Sequence, residues 1–161
     1  MKKAAVIMSS EAELPIAEKT AEAIKGFGVE VTLRIMSAHR SPKEVTEFAE
    51  NAYDNGYGVI VAAAGMAAHL AGTIAAHTVL PVIALPVKSK SLEGLDSLLS
   101  AVMMPPGVPV AAVAVDGALN AGYLAVQILA VSDKELSQKF IEFKESLRVK
   151  NVNADTKLQE K

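Results

Sequence analysis

At 161 residues, with 51% hydrophobic but only 4% aromatic content, the chain is one ordinary domain built on small aliphatic side chains. A net charge of −2 gives no general attraction to nucleic acid or anionic membranes, and an apolar stretch such as Val59–Leu70 is too short to span a bilayer, with His69 interrupting the longer run to Pro86. The absence of cysteine excludes disulfides, thiolate metal sites and cysteine nucleophiles, and points to a reduced, cytoplasmic setting.

In chain order, strand-like and helix-like stretches alternate. Lys3–Met8 is a short apolar run followed at once by serines and glutamates, which suits a buried first strand better than a secretory signal. Glu13–Phe27 has helical spacing (Leu14, Ile16, Ala17, Ala21, Ile24), Pro15 near the first turn and Gly26 and Gly28 at its end. Val29–Met36 reads as a second strand. Ser41 is placed to cap a second helix, with Pro42 at its first position and Glu44 spaced for a capping box, ending near Asn55-Gly56. Tyr57–Ala63 is a third strand, Ala67–Ala76 a small-residue helix, Pro81–Val87 a fourth strand and Leu95–Met103 a helix. Val108–Val115 is a fifth strand, Ala118–Val131 a helix, and Ser132-Asp133 caps a last helix reaching about Lys150. Residues 1–150 thus form one domain, and Asn151–Lys161 is a polar tail, frayed or packed on a neighbouring subunit.

Five apolar strands alternating with helices predict a three-layer, doubly wound parallel sheet of flavodoxin-like order 2-1-3-4-5, with an extra C-terminal helix. Such sheets bind ligands beyond the carboxyl ends of their strands, near the switch point between strands 1 and 3. Three loops therefore matter: Ser9–Glu13, Ser37–Arg40 and Ala64–His69.

The first loop meets a helix N-terminus, where backbone N–H groups favour an anion. Ser10 can donate to a phosphate or ribose oxygen, while Glu11 and Glu13 suit ribose hydroxyls; the same residues also read as an ordinary acidic helix cap. In the second loop, His39 exchanges protons near neutral pH and Arg40 offers a fork of donors matched to phosphate. Such a pair on a loop is commonly just solvated, and its placement at a strand's carboxyl end is what points to proton transfer on an anionic substrate. The third loop lacks bulky side chains, so a ligand or a neighbouring backbone can come close. His69 reads either as a satisfied core or interface histidine or as a secondary member of the site, and His77 as a dipole partner at a helix C-terminus. No HxH or HExxH spacing, Gly-x-Gly-x-x-Gly or Walker pattern is present, so neither a metal nor a nucleotide cofactor is expected.

Six segments together resemble a known family. They are Ser37-Ala38-His39-Arg40-Ser41-Pro42, Ala67-Ala68-His69-Leu70, Leu80-Pro81-Val82-Ile83, Gly94-Leu95-Asp96-Ser97-Leu98-Leu99-Ser100, Met104-Pro105 with Pro109-Val110-Ala111, and Asn120-Ala121-Gly122. In order and interval they are similar to class I N5-carboxyaminoimidazole ribonucleotide mutase, also called the catalytic subunit of phosphoribosylaminoimidazole carboxylase, of purine biosynthesis. The resemblance implies an isomerase that moves a carboxylate from N5 to C4 of aminoimidazole ribonucleotide without metal or organic cofactor. It implies that His39 handles the ring proton, that Arg40 and Ser10 hold the 5′-phosphate, and that Glu13 meets the ribose hydroxyls. The Ala64–Ala67 backbone, Gly65 included, would hold the carboxylate, and Ser37 and His69 complete the substrate-binding set. It further implies a homo-octamer with sites shared between subunits.

The departures from the family pattern cluster at the site. Gly-Ser-x-Ser-Asp in the family is Ser9-Ser10-Glu11-Ala12-Glu13 here, and Ala-Gly-Ala-Gly-Gly is Ala62-Ala63-Ala64-Gly65-Met66. Family Gly-Val-Pro is Ala84-Leu85-Pro86, and Met103 replaces a glutamine. These changes leave an alternative expectation: a homo-oligomeric family variant whose altered substrate loop impairs catalysis.

Overall fold

The computed structural model describes residues 2–160. Met1 and Lys161, the ends of the expected domain and tail, lie outside the described residues. Five strands, β1 (Lys3–Met8), β2 (Val31–Ile35), β3 (Tyr57–Gly65), β4 (Val82–Val87) and β5 (Ala111–Ala112), form one parallel sheet of order β2-β1-β3-β4-β5. That is the doubly wound order expected.

Both faces of the sheet are covered, and the side-chain alternation of the strands sorts the core into two halves. Ala4, Val6 and Met8 of β1, Val59, Val61 and Ala63 of β3, and Ile83 and Leu85 of β4 face one way. They pack under α1 (Leu14–Lys25), α5 (Ala118–Ala130) and the start of α6 (Lys134–Gln159). Ala5 and Ile7, Ile60, Ala62 and Ala64, and Val82 and Ala84 face the other way, under α2 (Pro42–Asn51), α3 (Leu70–Ala76) and α4 (Leu95–Val102).

The alanine-rich composition now has a physical purpose, because small side chains let helices approach each other closely. At Gly122 on α5 an added Cβ would lie 2.8 Å from the Thr20 carbonyl oxygen of α1. Beside it, the buried Thr20 hydroxyl donates to the Ala118 carbonyl at 3.1 Å, tying the two helices together. Most of the few aromatics gather where α6 docks: Phe27, Tyr123, Phe140 and Phe143 interlock with ring centroids 4.7–6.5 Å apart.

Three expectations change. β5 is two residues long, because Pro105, Pro106 and Pro109 remove backbone donors and Gly107 turns the chain before it. The last helix does not stop near Lys150 but runs to Gln159. Nothing between Val149 and Gln159 breaks a helix, and Ala154, Lys157, Leu158 and Gln159 favour one. Third, two helices are shorter than expected: α2 ends at Asn51 and not near Asn55-Gly56, with turns over residues 52–56, and α3 begins at Leu70 and not at Ala67, leaving Met66–His69 as loop. Asp133, of the expected Ser132-Asp133 cap, accepts the Leu136 N–H at 3.0 Å.

Candidate active site

In a parallel sheet every strand delivers its carboxyl end to the same edge, and here four of them open onto one cleft. Its volume is about 750 Å³, and its walls are drawn from residues 9–13, 37–40, 64–70 and 87–91. All eight residues expected to form the site, Ser10, Glu13, Ser37, His39, Arg40, Ala64, Gly65 and His69, line it.

The first wall is a closed hydrogen-bond system. Ser10 starts a single 3₁₀ turn, Glu11–Glu13, ahead of α1. The buried Glu13 carboxylate folds back over that turn: it accepts the Ser10 N–H at 2.7 Å, the Ser10 hydroxyl at 2.6 Å and the Ser9 hydroxyl at 3.1 Å. The capping-box contact expected of Ser41 and Glu44 is thus made by Ser10 and Glu13 instead. Ser41 does sit at the cap of α2 with Pro42 behind it, but it makes no side-chain cap bond. Its hydroxyl instead accepts the Ser37 N–H at 2.8 Å and so closes the second loop on itself. Ser9, where the family has glycine, avoids positive φ, so its side chain imposes no backbone strain.

In the second loop the buried Ser37 hydroxyl accepts the backbone N–H groups of His39 and Arg40 at 3.3 and 3.2 Å. The Arg40 guanidinium reaches across to β1, donating to the Ser9 carbonyl at 2.8 Å and to the Ser37 hydroxyl at 3.4 Å. One cation therefore bridges the first two loops. This gives the cleft an anion-attracting end.

The third loop brings His69 to His39. Nε2 of His39 and Nδ1 of His69 are 2.8 Å apart, with the rings edge to face at 77°. Of the two readings open for His69, the core histidine is overturned: its side chain is exposed in the cleft. His77 does stand at the C-cap of α3, 3.6 Å from Glu50 and away from the cleft. Ala64 and Gly65 present mainly backbone. Met66, in a glycine position of the family, adopts φ 57° with its side chain exposed at the rim. A left-handed backbone at a non-glycine residue costs about 1–2 kcal/mol.

A fourth wall, Val87–Ser91 at the carboxyl end of β4, lies outside the three loops the sequence singles out. The signal was available, since the carboxyl-end rule applies to β4 as well as to the strands at the switch point. This loop is fastened behind the cleft. The Lys88 N–H donates to Asp116 at 2.9 Å, the Ser89 hydroxyl is held by Asp96 at 2.8 Å, and the Lys88 ammonium pairs with Glu93. The hydrogen bond and negative charge of Glu93 raise the pKa of Lys88 above its ordinary value.

A doubly wound α/β fold with two histidines and an arginine in the cleft at the carboxyl edge of its sheet fits an enzyme of small anionic metabolites. Residues 3–150 match the family described as AIRC, AIR carboxylase. The chain is 46% identical over 148 residues to the N5-carboxyaminoimidazole ribonucleotide mutase of Pyrococcus abyssi, covering 92% of this chain and 85% of that one. It is 48% identical over 155 residues to the Methanocaldococcus jannaschii protein of the same name, covering 96% of each. The solved structure of Treponema denticola PurE superposes with a TM-score of 0.88 at 30% identity, over 96% of this chain and 97% of that one. The chain belongs to the AIR carboxylase family.

Proposed function

We propose that this protein is an N5-carboxyaminoimidazole ribonucleotide mutase, an isomerase of purine biosynthesis that moves a carboxylate from the exocyclic N5 to ring carbon C4. The observation that carries the reading is one cleft that gathers a proton-exchanging imidazole, His39, a cation, Arg40, and the end of β3 at Ala64–Gly65. A ribonucleotide carrying a carbamate calls for the same set: a site for a phosphate, a site for a carboxylate and a group that takes a ring proton. Arg40 with the N–H groups of the first loop meets the phosphate. Glu13, already organised by Ser9 and Ser10, meets the ribose hydroxyls. The loop after β3 receives the carboxylate.

In this reaction the N5–C bond of the carbamate breaks to free carbon dioxide, and the electron-rich C4 attacks it. The C4 proton leaves to His39 and returns to the nitrogen that lost the carboxyl group, so that atoms and charge balance. The protein's contribution is to hold carbon dioxide beside C4 long enough for capture, and to supply a base within reach. Purified protein given the carbamate ribonucleotide should form the C4-carboxylate; turnover no faster than the spontaneous rearrangement would overturn the reading.

The proposal includes a homo-oligomer, an octamer on the family resemblance, in the cytoplasm. Leu95, Leu99, Val102 and Met103 on and after α4 are large, apolar and exposed in the single chain, which supports self-association. Among the described residues no helix is long and apolar enough to cross a membrane. Light scattering should give a mass near eight times the 16.9 kDa of the chain; a monodisperse monomer would remove the oligomer from the proposal.

A further inference from the structure

Cations outnumber carboxylates in the cleft, although the chain as a whole carries a net charge of −2. Arg40, Lys88 and Lys90 line it, against one carboxylate, Glu13. Most of these charges are already engaged. Glu13 accepts from Ser9 and Ser10, Arg40 donates to the Ser9 carbonyl and the Ser37 hydroxyl, and Lys88 pairs with Glu93. Lys90 makes no ion pair and no side-chain hydrogen bond among the described residues, and it is exposed. Its backbone, by contrast, follows a segment pinned from behind. The Pro86 carbonyl accepts the Asp116 N–H and the Val87 carbonyl accepts the buried Ser97 hydroxyl, both at 2.9 Å. The Lys88 N–H donates to Asp116 and the Ser89 hydroxyl to Asp96. The next residue in the chain is a free ammonium at the cleft wall.

An exposed lysine ordinarily ends in solvent, and its place in the sheet is what sets this one apart. Val87 pairs with Gly65 at the last step of the β3–β4 ladder, so the segment carrying Lys90 leaves the sheet beside the loop after β3. Arg40 is tied to Ser9 at the end of β1, two strands from β4, and strand spacing separates those ends by about 10 Å. The loop after β3, Ala64–Ala67, has no cation of its own. We infer that Lys90 is a specificity-determining residue whose ammonium meets the carboxylate of the substrate at the end of β3, while Arg40 meets the phosphate. The inference rests on the proposed function for the identity of the ligand and adds where its second negative charge is met. One guanidinium held by two protein oxygens cannot neutralise two separated anionic groups, and backbone N–H groups offer the carboxylate dipoles but no countercharge. A point charge on a flexible stem also suits a group that moves from N5 to C4, because the ammonium can follow it where a rigid fork cannot. Lys90 is thus the exception on an otherwise bare side of the cleft.

Two nucleotides separate the charges in a calorimetric test at low salt. One is the C4-carboxylated product; the other is aminoimidazole ribonucleotide, which has the same phosphate and ribose but no carboxylate. Lys90→Met should raise the Kd of the product roughly tenfold, and leave that of aminoimidazole ribonucleotide within about twofold of wild type. Lys90→Arg, which keeps the charge, should recover most of the loss. The side chain is exposed and holds nothing in the fold, so both variants should match the wild type in urea unfolding. Equal losses for the two nucleotides in Lys90→Met would put the lysine at the phosphate and overturn the inference. No loss for either would make it a solvated side chain, and a loss in Lys90→Arg as large as in Lys90→Met would deny the charge its role; each overturns the inference as well. All three of those results leave the proposed function standing. A wild type that binds neither nucleotide would overturn that function and this inference together.

Discussion

The two sides of the cleft are built on opposite principles. On the β1–β2 side, Ser9, Ser10, Glu13, Ser37 and Arg40 close a network in which side chains hold backbone and backbone holds side chains. On the β3–β4 side, Ala64, Gly65 and Ala67 contribute mainly backbone, and the loop after β4 is fastened from outside through Asp96 and Asp116. On the proposed reading, the first side would meet a ligand through what its side chains offer, and the second would admit one through what its side chains lack. Truncations should therefore be severe on the first side, and changes of size should matter most on the second. His39 belongs to the first side and meets the second only through His69.

The largest expected effect is at that junction. His39→Asn removes the proposed base but keeps a polar side chain of similar reach, so kcat should fall by about 10²–10⁴-fold. Product nucleotide should still bind by calorimetry, with the oligomer intact. Retained turnover would mean that the base lies elsewhere and that the two sides meet at another residue. Next is Arg40→Met, which deletes the cation bridging the first two loops. Loss of a charge-assisted hydrogen bond costs about 1.5–3 kcal/mol, so KM should rise roughly 10- to 100-fold with a smaller change in kcat. A KM unchanged within twofold would place the phosphate away from the first wall.

Glu13→Ala tests whether the network stands as a unit. It strands the Ser10 N–H and two hydroxyls at a part-buried loop, and should cost about 1–2 kcal/mol in urea-unfolding free energy along with weaker nucleotide binding. Wild-type stability would show that Ser9 and Ser10 find water as readily as they find Glu13.

The asymmetry also explains how much could be read before folding. β1, β3 and β4 announce themselves because short apolar runs alternating with helical patterns suit buried parallel strands, and the doubly wound class supplies the expected order of the sheet. His39 and Arg40 were legible because a strand end and a helix start bracket them. The Glu13 carboxylate was legible as polar and acidic, but not as the keystone of its own loop, since Ser10-x-x-Glu13 competes with the equally good Ser41-x-x-Glu44 and only the fold decides between them. The partnership of His69 with His39 was hidden because it depends on the β2–α2 and β3–α3 loops meeting above β1, a distance that no local pattern encodes. The last helix was cut short because a polar segment with no apolar face gives no periodicity to follow, although its composition favours helix.

On the second side the expected effects are smaller and opposite in sign. Met66 sits at φ 57° with 67% of its surface exposed, so it gains little from burial while holding a left-handed backbone. Met66→Gly removes the strain, less the extra freedom of glycine in the unfolded chain, for a net gain of about 0.5–1 kcal/mol in urea unfolding. A loss of stability would mean that the Met66 side chain packs in solution, and the wall would then be less bare than it looks.

The smallest effect concerns the one ion pair that fastens this bare side. Glu93 raises the pKa of Lys88, chiefly through their hydrogen bond and then through its charge. A lysine whose folded pKa lies above its unfolded value, about 10.4, contributes stability fully below that value. The contribution is lost as pH rises through the folded pKa. Both groups are exposed, so salt screens the pair and the contribution is slight. Urea midpoints of the wild type and Glu93→Gln should therefore differ slightly at pH 8, converge in alkaline solution as Lys88 loses its proton, and converge also at pH 8 in 1 M salt. A difference that persists in salt would show that Glu93 acts through its backbone, where φ is 54°, and not through its charge. The loop after β4 would then rest on its hydrogen bonds to Asp116 and Asp96, without help from the charge of Glu93.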